Sequence, residues 1–76
     1  METYKTKDIY EATALLANNG RLIQLEKEGN FYWFVFENLD MVKKMSDSYW
    51  RNELSVLAKD YSDAFRTLKD RLFSQP

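Results

Sequence analysis

The unbroken run Phe31-Tyr32-Trp33-Phe34-Val35-Phe36 constrains the fold more than any other feature of this chain. Every residue in it is aromatic or β-branched, the types that fit a pleated, half-buried surface. It follows Gly29-Asn30 directly, and Leu22, Ile23 and Leu25 lie on the far side of that pair. Two such runs joined by a Gly-Asn turn predict a β-hairpin. A two-residue turn sets Glu28 opposite Phe31, Glu26 opposite Trp33 and Gln24 opposite Val35. The other parity pairs Lys27 with Tyr32, Leu25 with Phe34 and Ile23 with Phe36. One face then carries Ile23, Leu25, Tyr32, Phe34 and Phe36, and this is the expected core face. The other mixes Phe31, Trp33, Val35 and Leu22 with Gln24, Glu26, Glu28 and Glu37.

Aromatic residues matter here because the chain has few other means of holding together. At 76 residues, with no Cys and no His, it lacks disulfides and the ligands of most structural zinc sites. A chain of this length buries only about 60–65% of its unfolded surface. Five Phe, five Tyr and two Trp compensate, each ring burying on the order of 150–250 Å². The expectation is a folded chain, despite a mean hydropathy of −0.59. With no linker, low-complexity tract or repeat, residues 1–76 read as one domain.

Helices account for the remainder. Ile9, Ala12, Leu15 and Leu16 recur at helical spacing between Thr6, a candidate N-cap, and the left-handed stop Asn18-Asn19-Gly20. Asn38 caps a second helix whose apolar stripe is Leu39, Val42, Met45 and Tyr49, with Lys43, Lys44 and Asp47 on its wet side. Beyond it, Leu54, Leu57, Ala58, Tyr61, Ala64, Phe65, Leu68 and Leu72 keep helical spacing. Two readings fit: a helix running through from near Asn52 or from Leu39, or a short strand at Glu53–Leu57 before a last helix near Ala58. Periodicity favours the helix, while a hairpin's need for a third strand favours the strand.

Several segments together resemble a small uncharacterised family of bacterial and phage domains, a domain of unknown function. They are Tyr4-Lys5-Thr6-Lys7-Asp8-Ile9-Tyr10-Glu11-Ala12, Leu25-Glu26-Lys27-Glu28-Gly29, Trp33-Phe34-Val35-Phe36-Glu37, Tyr49-Trp50 and the run from Ala58 to Asp70. The resemblance spans about Thr3 to Phe73 and brings no catalytic or binding residues with it. It implies a short extended segment before the last helix, although Leu57 stands where the family pattern has a polar cap. The expected fold is therefore α+β, a small antiparallel sheet packed with helices in the order α-β-β-α-(β)-α.

Function is narrowed mainly by exclusion. Without His or Cys there is no Cys–His dyad, Ser–His–Asp triad or zinc hydrolase site, and neither a Walker A nor a Gly-x-Gly-x-x-Gly sequence occurs. Glu26 and Glu28 read as solubilising charge, and Met41 and Met45 as core filler rather than soft-metal ligands. The expectation is a non-enzymatic protein with no cofactor and no metal. The N-terminal residues show no apolar signal core, and no stretch approaches a membrane span, so a cytoplasmic protein is expected. Eleven basic residues face twelve acidic ones, a balance too even for phosphate-dominated binding.

Two surfaces remain as candidates. Phe31, Trp33 and Val35 on the second hairpin face, with Trp50 outside its helix's stripe, form a candidate protein interface. Coverage of that face by a helix or terminus is the bland reading, and base stacking a third, opposed by the nearby glutamates. Lys43, Lys44, Arg51, Arg66 and Lys69 form a candidate basic surface, though Asp47, Asp60, Asp63 and Asp70 are interspersed. The leading expectation is an interaction module, homo-oligomeric or bound to a larger protein. The alternative is an accessory nucleic-acid-binding protein that uses the basic positions.

Overall fold

A computed structural model describes residues 2–75; Met1 and Pro76, the ends of the expected domain, lie outside the described residues. In chain order the elements are β1 (Thr3–Thr6), α1 (Ile9–Ala17), β2 (Leu22–Glu28), β3 (Phe31–Glu37), α2 (Leu39–Trp50) and α3 (Ala58–Phe73). The α+β class stands, but the order is β-α-β-β-α-α. The strands form one antiparallel sheet in the order β1-β3-β2. The aromatic run is thus the central strand, hydrogen-bonded on both edges.

The third strand comes from the N-terminus, not from residues 53–57. Thr3-Tyr4-Lys5-Thr6 alternates polar and inward residues, and it pairs Tyr4 with Phe36 and Thr6 with Phe34. Residues 53–57 take no regular structure, so the expected strand there is absent, but α2 does end before Glu53 and α3 does begin at Ala58, as the strand reading required and the through-running helix did not. Asn52 adopts the left-handed conformation (φ 61°), and the Glu53 and Asn52 amides donate to the Ser48 and Tyr49 carbonyls. That is a Schellman motif, and it stops α2 despite the continuing apolar period. The end of α1 repeats it. Asn19 is left-handed (φ 71°), and the Gly20 amide donates to the Leu15 carbonyl at 2.8 Å.

The hairpin register is as the turn dictates from Glu28–Phe31 to Gln24–Val35. Gly29 takes φ 61° at the first turn position, as a type II′ turn requires. One residue further on, a bulge sets Leu22 rather than Ile23 opposite Phe36. The core assignment changes accordingly: Leu22 packs against the core, and Ile23 is exposed. Helix α1 is capped by Asp8, whose Oδ1 accepts from the Tyr10 and Glu11 amides, not by Thr6. Thr6 belongs to β1, and its hydroxyl accepts from the Asp8 amide and donates elsewhere.

All three helices lie on one face of the sheet. Phe34 and Phe36 project into a core completed by Ala12 and Leu15 of α1, Val42 of α2 and Leu68 of α3. Helix α1 is the middle element, packing on both α2 and α3. Phe34→Ala should therefore remove about 3–5 kcal/mol, close to the whole stability of a domain this small. A thermal melt checks this: the variant should be largely unfolded at room temperature, or melt far below the parent chain.

Candidate functional site

Three arrangements of side chains stand out, and the first lies inside the protein. Glu11 sits at the third position of α1 and is only 3% exposed. Its Oε1 accepts from the Thr6 hydroxyl at 2.8 Å, and its Oε2 accepts from the Tyr4 phenol at 2.6 Å and the Ser46 hydroxyl at 2.5 Å. The Tyr4 and Ser46 oxygens are themselves 2.8 Å apart. A buried carboxylate without partners would be prohibitive, and three hydroxyls from β1 and α2 make this one tolerable. Burial, reinforced by the bond to Glu11, pushes the Tyr4 phenol up to about 12. Among the described residues, no buried side-chain nitrogen or oxygen lacks a partner. Each polar atom of the cluster has a partner within the protein, and its bonds clamp β1, α1 and α2 together. Its one trace along the chain is the Asp-x-x-Glu spacing at the start of α1.

The second arrangement is the outer sheet face, which carries no helix. Phe31 and Trp33 meet edge to face with centroids 5.5 Å apart, and the Lys7 ammonium lies 5.0 Å over the Phe31 ring. The Trp33 indole N–H donates to Glu28 at 3.3 Å. Lys5 of β1 reaches across β3 to Glu26 of β2 at 2.7 Å. Since Lys5 pairs with Val35 and Glu26 with Trp33, this bridge crosses diagonally over the central strand. Val35 beneath it is 3% exposed and is not available to a partner. Phe31 and Trp33 remain half-buried. Trp50 is elsewhere, 60% exposed at the end of α2 and edge-on to Tyr49.

The third arrangement is on α3 and was hidden in the sequence by the helical period. Only Ala64 and Leu68 of that helix are fully buried. Tyr61, Phe65, Arg66, Lys69, Asp70 and Phe73 line a surface groove along its flank. Tyr10 of α1 stacks on Phe65 with centroids 6.0 Å apart, Lys69 lies 5.5 Å over the same ring, and Phe73 is 80% exposed. Counting Tyr61 and Phe65 in one stripe with Leu68 and Leu72 obscured this. The apolar arc is wider than a helix packed on one side needs, and that width was the available signal.

The basic positions are divided. Arg66 and Lys69 share the α3 groove, whereas Lys43 and Lys44 are exposed on α2, beyond α1. Arg51 is ion-paired with Glu53 at 3.0 Å. Lys59 and Asp63 form an i,i+4 pair at 3.3 Å, but Arg66 and Asp70, with the same spacing about two turns later, form no ion pair. Among the described residues no cluster of acidic groups is arranged to hold a metal ion, and no helix is long and apolar enough to cross a membrane.

These features define a small two-layer α+β domain with a sealed polar centre and two aromatic surfaces. The chain belongs to a family described as a domain of unknown function (DUF5659), which matches residues 1–74. No curated protein and no solved structure matches it.

The clamp has measurable consequences. Glu11→Ala removes the shared acceptor of three hydroxyls and should cost on the order of 3 kcal/mol, read by chemical denaturation. The phenol raised above its ordinary value of 10 favours the folded state while it stays protonated. That contribution is complete below pH 10 and is lost as pH rises through about 12. Melts between pH 9 and 12 should show a steeper alkaline loss for the parent chain than for Tyr4→Phe.

Proposed function

We propose that this protein is a non-enzymatic interaction module that works by self-association or by binding a larger protein. One observation carries the reading: the aromatic surface of Tyr10, Phe65 and Phe73 stands outside the core, with cations at its border. Contiguous exposed aromatics beside charge are characteristic of protein contact sites, and tyrosine and arginine are enriched among the residues that dominate binding. A non-enzymatic role is supported by the chemistry at hand. Among the described residues the one deeply buried acid is spent on three hydroxyls, and the chain has no His or Cys.

The nucleic-acid alternative draws less support. The basic residues fall into two groups on separate helices, and acids accompany both. Light scattering on the purified chain should give a mass that rises above 9.1 kDa with concentration. A strict monomer at high micromolar concentration leaves only the heterologous version of the reading. Charge reversal at Lys43 and Lys44 together should change stability by under about 0.5 kcal/mol and leave association intact. Micromolar binding to DNA or RNA near physiological salt, lost in that double variant, would overturn the ranking.

A further inference from the structure

Resting on that reading, we propose that the α3 flank is the self-association face, and that its occupant is the α3 of a second copy running antiparallel. The groove residues Tyr61, Phe65, Lys69 and Phe73 follow one i, i+4 ridge, the kind of ridge that packed helices interdigitate. Their order is self-complementary. A two-fold axis midway between Phe65 and Lys69 sets Phe73 against Tyr61 of the other copy, and Lys69 against its Phe65. Aromatic then meets aromatic at both ends and cation meets ring in the middle. The isologous geometry makes each contact twice.

Charge selects a second copy over an unrelated partner. Arg66 and Asp70 are both exposed and unpaired with each other within the chain, although Lys59 and Asp63 do pair at the same spacing. Under the two-fold, Arg66 comes within two residues, or about 3 Å of helix rise, of the other copy's Asp70. The pair absent within one chain thus forms twice between two. Phe73, 80% exposed in the single chain, is the residue with most to gain from that contact.

Sedimentation equilibrium of the full chain tests this with Arg66→Asp and Asp70→Arg. Each variant places like charges at both symmetric contacts and should weaken dimerisation about tenfold or more. An equimolar mixture of the two restores both opposite-charge contacts and should form a heterodimer close to parental affinity. Both positions are exposed, so an unchanged circular-dichroism spectrum confirms that folding is not the cause. A mixture that associates no better than the separate variants overturns the proposal. If the parent dimerises, both variants dimerise equally well and Trp33→Glu dissociates it, the α3 face is wrong and the interaction reading survives on the sheet face. A parent chain that stays monomeric removes this proposal together with self-association, but not binding to a different protein.

Discussion

The carboxylate of Glu11 is the point on which the architecture closes. It stands at the start of α1 and accepts hydrogen bonds from the hydroxyls of Tyr4 and Thr6 of β1 and of Ser46 of α2. The hairpin needs no such device, because its turn and its aromatic pairs define it locally. The four-residue β1 does need one. Strand pairing alone holds so short an edge weakly, and the buried acid ties both of its inward residues to the helical layer. The same bonds set α1 against α2. Charge buried at this depth is costly unless fully satisfied, which makes the arrangement selective: shifting β1 by one residue would turn Tyr4 and Thr6 outward and leave the acid stranded.

What could be read from the chain follows from how local each signal was. The hairpin register and the stop at Asn18-Asn19-Gly20 are written in adjacent residues, and both were legible. The bulge was not, because Leu22 and Ile23 are both apolar and a period of two cannot tell which faces inward. β1 was missed because four residues carry too little alternation to outweigh the helix that follows. The connection at 53–57 was misread because Leu54, Val56 and Leu57 continue an apolar rhythm through a break made by backbone geometry at Asn52. Leu57 shows the difference: it is the N-cap of α3, makes no side-chain cap and is 72% exposed.

The candidate surfaces divide along the same line. Phe31, Trp33 and Trp50 were identifiable as apolar residues off the core parity, and they are indeed outside the buried core. Val35 was placed on the correct face, yet neighbouring strands supply the bridge that covers it, and strand order is not a local property. The α3 groove depends on how much of the helix α1 and the sheet leave uncovered. That quantity exists only in the assembled layers.

The two asparagine-terminated helices differ in one chemical respect. Asn19 is followed by glycine, the dipeptide in which the following amide nitrogen most readily attacks the asparagine side chain to expel ammonia. Here that nitrogen belongs to Gly20, which is buried, and its proton is held by the Leu15 carbonyl at 2.8 Å. A Cβ at Gly20 would lie 2.7 Å from the same oxygen, so the site favours the residue that is chemically most hazardous in an open chain. The cap therefore does more than end a helix. It shelters the chain from spontaneous ageing, and conversion of Asn19 to aspartate or isoaspartate becomes a slow clock that advances only while the last turn of α1 is open.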